Sequence, residues 1–528
     1  MVDPGTYLTV AELCFKLGAR VVKACKDWNN ADTEIEERKA KVEFCCMQTK
    51  VQIECMLKVK DTLDPELVGV LDNVLLLLST KLSLASTKLE NLYTVSEARD
   101  GSSRPKIRRL KYSGTKKNLD ELIADLEEWQ RRFDPCWFLI MRLGNPVIDE
   151  QIHIQRKEYS SFSLAGGLRK ALNEDHSKHT SVFVKDDGVE MTDIEFATAK
   201  YGRRKGQGYI IDPFNVPPQS RIDNERENVR NLARKLKNAD PTTFRLLQCK
   251  HVIVDREDST SFKFVYVLPA HLAEPRSLRQ VLLLADQKGG GPLPLSDRVQ
   301  IAKDLATSVS YVHNFNFVHK SIRPENILLF SDNGRGGGAS SSTNSSSSRP
   351  PETFLVGFEN FRAADGPTRM AGNADWEKDL YRHPSRQGAV PGAVYKMQHD
   401  IFSLGVCLLE VGMSKSFVTY PDPDPDPKPS EGPLYADAII GPERESAAAA
   451  EGGKLRSEAL KDRLVEYARA RLPGVVGARY AAAVVACLTC LDPDNADFGS
   501  EAMLDVDGIV VGARFIAKII TRLSEISL

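Results

Sequence analysis

Val318-His319-Lys320-Ser321-Ile322-Arg323-Pro324-Glu325-Asn326-Ile327-Leu328-Leu329 is the stretch from which the rest of the chain can be read. It sets an imidazole, a hydroxyl, two cations, a carboxylate and a carboxamide among apolar residues, and it runs into an apolar strand. Upstream, Leu295-Ser296-Asp297 opens a helix, with Ser296 or Asp297 placed to cap it. Ile301, Leu305, Ser308 and Val312 then recur at helical spacing. Downstream, Phe354-Leu355-Val356 reads as a short strand entering Gly357-Phe358-Glu359. Tyr381-Arg382-His383-Pro384-Ser385 follows, and then His399-Asp400-Ile401-Phe402-Ser403-Leu404-Gly405-Val406-Cys407-Leu408-Leu409-Glu410.

In this order and spacing the segments resemble the catalytic core of protein kinases. The kinase catalytic loop has the pattern H-R-D-L-x-x-x-N. His319, Ile322 and Asn326 stand at matching positions, Lys320 replaces the Arg, and Ser321 replaces the catalytic Asp. Gly357-Phe358-Glu359 lies where kinases have D-F-G and keeps the Phe alone, and only Pro384 is kept from A-P-E. The helix from His399 resembles the kinase D-x-W-S-L-G helix, whose Asp holds the backbone of the catalytic loop. The resemblance implies a two-lobed α+β fold with His319, Asn326, Phe358 and Asp400 as its markers.

It implies less chemistry. A kinase carboxylate at the Ser321 position accepts the proton of the substrate hydroxyl. An uncharged serine cannot, and loss of a positioned general base costs roughly 100- to 10,000-fold in rate. Gly357 offers no ligand to magnesium, which prefers carboxylates and substrate phosphates. Asn326 remains as one metal ligand and Arg323 as one cation for a phosphate; these two are the nucleotide-binding candidates, with no catalytic residue and no metal site expected. Glu359 is the acidic group nearest the D-F-G frame, and its side chain would have to be redirected to reach a metal.

The N-lobe reads less clearly. Gly202, Gly206 and Gly208 around Tyr201–Gly208 are not in a G-x-G-x-x-G arrangement, and a flexible loop is expected there. Tyr209-Ile210-Ile211-Asp212-Pro213-Phe214 has the look of the strand that carries the V-A-I-K lysine, but no Lys follows its apolar residues and Lys205 precedes them. Arg221 to Lys237 reads as a charged helix with Val229, Leu232, Ala233 and Leu236 inward; Glu225 or Glu227 stands either near the place of the glutamate that pairs that lysine or, the preferred reading, on a solvated face. Ser181–Val184, Phe244–Leu247 and Phe262–Leu268 read as strands, and Leu268-Pro269-Ala270 as the hinge.

The first 152 residues read as four amphipathic helices. Leu13, Leu17 and Val21 mark the first. Thr33-x-x-Glu36 is a capping box opening the second. Asp64-Pro65 supplies an N-cap and a first-turn Pro for the third, and Asn118-x-x-Glu121 opens the fourth. Four such stripes bury one another in a four-helix bundle. The segment Asp120 to Ile152 resembles the end of the helical N-terminal domains of fungal HeLo-type proteins. That resemblance implies a bundle fused to a signalling module, some members of that family acting in cell death at the plasma membrane. Arg104, Lys106, Arg108, Arg109 and Lys111 form a basic cluster before the last helix, read either as a solvated loop or as a site for anionic lipid at about 1 kcal/mol per charge.

The expected organisation is therefore multidomain: an all-α four-helix bundle over residues 1–152, a connector over 153–205, a kinase-like N-lobe over 206–270 and a C-lobe over 271–528. Two insertions, 331–352 and 420–433, are flexible by composition, one rich in Gly and Ser and the other built on Pro421-Asp422-Pro423-Asp424-Pro425-Asp426-Pro427. A length of 528 residues, 42% hydrophobic and 27% charged, suits such a soluble multidomain chain. A net charge of −1 argues for no nucleic-acid partner. The start lacks a secretory signal, and no apolar run reaches the ~20 residues of a bilayer span. Ten Cys then read as reduced cytoplasmic thiols, with Cys487-x-x-Cys490 buried rather than zinc-binding.

Together these features point to a pseudokinase signalling or cell-death effector. It would be cytoplasmic, with recruitment to the plasma membrane, protein partners, no required cofactor, and ATP bound, if at all, without catalysis. Two other readings stand: a divergent ATP-binding serine/threonine kinase using displaced residues, and an inert scaffold.

Overall fold

The structure is a computed structural model that describes residues 4–26, 33–90, 93–97, 103–107, 112–173, 181–185, 190–218, 220–255, 258–287, 290–332, 350–363, 375–421, 428–440, 457–498 and 508–526. The chain divides into two compact units, Met1–Arg169 and Lys170–Leu528.

The first unit is helical: α1 (Pro4–Lys26), α2 (Thr33–Val59), α3 (Pro65–Glu90), a hairpin of β1 (Tyr93–Glu97) and β2 (Ser103–Ile107), α4 (Tyr112–Ile140), α5 (Pro146–Gln155) and α6 (Ser160–Asn173). Leu17 and Val21 of α1, Val42 and Ile53 of α2, Leu71 and Leu78 of α3, and Leu122 and Phe133 of α4 are buried, as the periodicity predicts, but Leu13, expected on the same face of α1, is 44% exposed. The helical part runs past residue 152, so residues 153–169 are not connector. Trp137 meets Phe162 edge-on at 4.9 Å. Arg169 grips Asp149 with two nitrogens and donates to the carbonyls of Met141 (2.9 Å) and Leu143 just past the end of α4. Those carbonyls follow a helix C-terminus and need such donors.

Two further expectations are revised. The basic stretch expected as an inter-helix loop includes a strand, β2, which carries Arg104 and Lys106; the side chains of these two residues, with Arg108, Arg109 and Lys111, lie outside the described residues. Within α3, Pro65–Lys88 is long and apolar enough to cross a membrane by length and composition, and half of its most apolar stretch is buried in the unit. Counting only unbroken apolar runs missed it, because scattered Ser, Thr and Lys residues interrupt a helix that is apolar on average.

The second unit begins with a six-stranded sheet in the order β3-β7-β8-β6-β5-β4, made of β3 (Phe183–Val184), β4 (Glu190–Asp193), β5 (Lys200–Arg204), β6 (Gln207–Asn215), β7 (Gln248–Val254) and β8 (Ser261–Val267). Strands β3 to β5 fall inside the segment expected as connector, so the N-lobe starts earlier than residue 206. The turn Lys205-Gly206 joins β5 to β6 with both residues at positive φ, +49° and +82°, the geometry that hairpin turns need. One long helix, α7 (Ile222–Leu236), lies between β6 and β7 and buries Val229, Leu232, Ala233 and Leu236. Glu225 is buried as well, not solvated. Residues 244–247 are not a strand. Asp240 caps a single turn, α8 (Pro241–Phe244), by accepting from Thr243 N, and Arg245 then turns the chain at φ +53°.

After the hinge, β9 (Leu272–Ser277) leads into α9 (Leu278–Asp286) and α10 (Leu295–Asn314). The chain continues through β10 (Phe317–Val318), β11 (Ile327–Asp332), β12 (Glu352–Leu355), β13 (Arg362–Ala363), α11 (Trp376–Asp379) and α12 (Met397–Met413). The first expected insertion lies between β11 and β12, which pair antiparallel. The second, 420–433, begins after β14 (Val418–Thr419) and takes in β15 (Ser430–Glu431), so its last part is paired strand rather than flexible coil. Residues 333–349 of the first and 422–427 of the second fall outside the described residues. Short α13 (Pro433–Tyr435), then α14 (Ser457–Val476), α15 (Ala478–Leu488), α16 (Ile509–Phe515) and α17 (Thr521–Ser524) complete the lobe. Helix α12 is buried from Met397 to Gly412. It packs so closely on α15 that a Cβ on Gly405 would stand 2.7 Å from Cys487 Cβ. Helices followed by a sheet and a helical lobe give the two-lobed, kinase-like fold that the sequence predicts.

Candidate functional site

The catalytic-loop frame is held from α12. Asp400, fully buried, accepts from His319 N (2.8 Å) and Lys320 N (2.9 Å). It also accepts from Tyr395 Oη (2.7 Å), and His313 Nε2 lies 3.1 Å away. This clamp fixes Lys320 at φ +68°. The His319 ring packs 4.5 Å from Phe358, and its Nε2 lies 3.0 Å from the carbonyl oxygen of Val356. Burial holds the His319 imidazole down to about 4, Asp400 opposing; it is therefore neutral at physiological pH. The four fold markers, His319, Asn326, Phe358 and Asp400, thus come together as one frame.

The polar groups of the loop are turned onto one another. Asn326 has no exposed surface; its Nδ2 donates to the Ser321 carbonyl (2.8 Å), and its Oδ1 accepts from Thr198 Oγ1 (2.8 Å). Gly357 lies against it at φ +79°, where a Cβ would fall 2.1 Å from Asn326 Cγ. Ser321 Oγ accepts from Asn360 Nδ2 (2.8 Å). Arg323 pairs with Glu359 (2.9 Å) and with Glu325 (3.6 Å). Glu359 is thus directed at Arg323. Both nucleotide-binding candidates, Asn326 and Arg323, have their polar atoms engaged by the chain itself.

Two residues that the sequence did not single out complete the site. Asp212 occupies the end of Tyr209-Ile210-Ile211-Asp212, where the V-A-I-K strand of a kinase carries the lysine that pairs the phosphates. It is fully buried, and its Oδ2 accepts from Gly357 N (2.9 Å) and Phe358 N (3.1 Å). Burial pushes its carboxyl up to about 7, against the two amides. The second residue is Thr198, in the β4–β5 loop. Its segment Ile194-Glu195-Phe196-Ala197-Thr198-Ala199 fills the place of a glycine-rich loop without one glycine. It is anchored at three points besides Asn326: Ser277 Oγ donates to Glu195 O (2.6 Å), Gln280 Nε2 donates to Glu195 Oε2 (2.5 Å), and the Phe196 ring stacks on Tyr420 at 4.8 Å.

Beneath the loop, Arg279 is entirely buried. It donates to Glu325 (2.9 Å), Glu410 (2.9 Å), Tyr381 Oη (2.7 Å) and Ser416 Oγ (2.5 Å). A buried cation needs this degree of pairing and hydrogen bonding. The two carboxylates beside it are thereby committed inside the protein. Cys487 and Cys490 are buried, and burial pushes both thiols up. Among the described residues, no group of three or more His, Cys, Asp or Glu is placed to hold a metal.

No family model matches the chain. It is 28% identical over 124 residues to the eukaryotic translation initiation factor 2-alpha kinase 1 of Mus musculus, which covers 21% of this chain and 16% of that protein. It is 29% identical over 157 residues to the probable serine/threonine-protein kinase FMP48 of Saccharomyces cerevisiae, covering 28% of this chain and 42% of that one. The chain thus spans less than half the length of each curated relative. Over part of its length it is distantly similar to serine/threonine protein kinases, in keeping with its fold.

Proposed function

We propose that the second unit is a pseudokinase, a partner-binding switch that moves no phosphate, and that it regulates the helical unit as the effector of a signalling or cell-death response. One observation carries this reading: a carboxylate, Asp212, stands where a nucleotide's phosphates need a cation, and it is fastened to the Gly357 and Phe358 amides. A carboxyl at that place supplies no positive charge to a triphosphate whatever its protonation, and the neutralisation by metal and cations on which phosphoryl transfer depends has lost its partners. Ser321 and Gly357 add the loss of a base and of a metal ligand. The HeLo-like character of the first unit and its action at an anionic membrane belong to the same proposal; the apolar α3 supports them.

The test is a thermal shift of the full chain with ATP, with and without magnesium or manganese, beside a radiolabel transfer assay. A ligand that binds the folded state at about 100 times its Kd adds about 2.7 kcal/mol to stability, an easily visible shift. We expect no shift and no transfer. Stabilisation by ATP together with transfer that is lost in Asn326→Ala would overturn the proposal in favour of a divergent kinase. For the effector arm, dye release from phosphatidylserine vesicles by the full chain is expected, and its absence at every lipid charge leaves a scaffold.

A further inference from the structure

The helical unit carries a pocket of about 430 Å³, open to solvent on one side, between α1, α2, α3 and α4. Its walls are apolar, with Phe15 and Val22 from α1, Ile53 from α2, Leu78 and Leu82 from α3, and Leu126 from α4. Two thiols also line it, Cys14 and Cys46, and burial pushes each up to about 12. The interior therefore carries no charge at neutral pH. The origin of the void lies in the sequence of α1. Phe15, Gly18, Ala19 and Val22 share one helical face at i, i+3, i+4 and i+7, and the two middle positions are too small to fill the space before them. A Cβ added at Gly18 would meet nothing within 4 Å. Cores are otherwise packed to the density of organic crystals, and a void of this size lies in the range of small-molecule sites.

The solvent side of the same cavity is different. Lys23, Lys26 and Lys50 line it, all exposed, against the one carboxylate of Glu43. Lys26 is paired with Glu43 at 2.5 Å, and Lys50 stands 3.7 Å from Glu54 of its own helix. Among the lining residues, cations thus outnumber carboxylates three to one.

We propose that this cavity binds one single-chain anionic amphiphile, its alkyl chain held between α1 and α3 and its carboxylate or phosphate head at Lys23, Lys26 and Lys50. The apolar walls account for the chain, and the lysines account for the sign of the head. The proposal is independent of what the cleft of the second unit does. The ligand has two sources, a free fatty acid or lysolipid in solution and an acyl chain drawn from a membrane, and the test separates them.

The experiment is isothermal titration of the full chain with laurate below its micellar concentration, compared with dodecanol, dodecyltrimethylammonium and phosphatidylserine vesicles. Laurate is expected to bind one per chain and to raise Tm, dodecanol to bind more weakly and the cationic amphiphile weakest. Lys23→Gln with Lys50→Gln is expected to weaken laurate about five- to tenfold, as exposed ion pairs allow, and to leave dodecanol unchanged. Gly18→Phe is expected to abolish laurate binding by filling the void while keeping the helical circular-dichroism signal. Because both lysines are exposed, their variant tests head recognition even if Gly18→Phe does not fold. Equal affinity for laurate and dodecanol, or undiminished binding by folded Gly18→Phe, would each overturn the proposal; uptake from vesicles without binding of monomeric laurate would support it with a membrane acyl chain as the source.

Discussion

Asp400 and Asp212 are both buried carboxylates that hold two consecutive backbone amides, and they do so in opposite surroundings. Around Asp400 each oxygen is engaged, by His319 N, Lys320 N, Tyr395 Oη and the His313 ring. Burial works to raise its pKa, but His313, His319 and Tyr395 outweigh it and leave the carboxyl below the usual range. Around Asp212 both amides converge on Oδ2, and Oδ1 is buried without a hydrogen-bond partner. Burial wins there, with Glu359 adding to it, and the carboxyl titrates near 7. The loop scaffold is thus a saturated anion that neutral pH leaves alone. The cleft clamp is a half-satisfied acid whose charge is decided in the physiological range.

Removal of the saturated partner should have the largest effect. Asp400→Ala strands two backbone donors and a tyrosine hydroxyl in a buried site. Breaking a buried charged network of this kind costs about 3–5 kcal/mol. Urea denaturation of the full chain, followed through the transition of the second unit, measures it. A cost near zero would mean that the catalytic-loop frame does not depend on α12.

Gly357→Asp comes next. It places a side chain at φ +79° and drives a Cβ into Asn326. The backbone contributes about 1–2 kcal/mol and the overpacking about 1–3, so a loss of about 3 kcal/mol is expected. The substitution that looks on paper like restoration of a D-F-G aspartate should therefore destabilise the protein without conferring magnesium or ATP binding. A Gly357→Asp variant as stable as its parent, shifted by magnesium-ATP, would show that the site still admits a nucleotide.

What the sequence made legible divides along the same line. His319, Asn326, Phe358 and Asp400 could be found because they sit in runs whose spacing is set by local geometry: a helix, a tight loop, a strand. The stripes of α1 to α4 were readable for the same reason. Asp212 and Thr198 were not, because each acts on residues more than a hundred positions away. Tyr209–Phe214 holds no lysine, and its informative residue is the carboxylate that is there, Asp212. A lone carboxylate inside an apolar, two-sided buried strand demands a partner, and that was the available signal. The loop before β5 has no glycine to mark it, and the glycines at Tyr201–Gly208 belong to a hairpin whose turn Gly206 makes. Arg169 lay beyond the expected end of the bundle because a guanidinium that satisfies carbonyls leaves no periodic trace.

The pH dependence tests the comparison directly. A carboxyl whose folded pKa is near 7, above its ordinary value near 4, holds a proton in the folded protein that the unfolded chain has lost between those values. Its contribution is full below about 4, declines as pH rises through 7 and leaves a complete penalty above it. Asp212→Asn keeps an oxygen for the Gly357 and Phe358 amides and cannot ionise. It should stabilise the second unit by about 2 kcal/mol at pH 8, within the roughly 4 kcal/mol that a shift of this size allows, and by almost nothing at pH 5. Melting curves at the two pH values decide it; the same Asp212→Asn effect at both would mean that the carboxyl is already ionised at pH 5.

The smallest expected effect is the most local. Thr198→Val keeps the shape of the side chain, removes its hydroxyl and leaves Asn326 Oδ1 without its donor, at a cost of about 1 kcal/mol. The loop remains tied through Glu195 and Phe196, so the variant should stay folded, with hydrogen exchange quickening across residues 194–199 and at the Asn326 amide. If Thr198 alone closes the cleft, ATP should now stabilise the protein. We expect that it does not, because Asp212 still supplies no cation for a phosphate and Gly357 still offers no ligand. ATP-dependent stabilisation of Thr198→Val would move the block from charge to access, and Asp212 would then be a fastening for the Gly357 loop and nothing more.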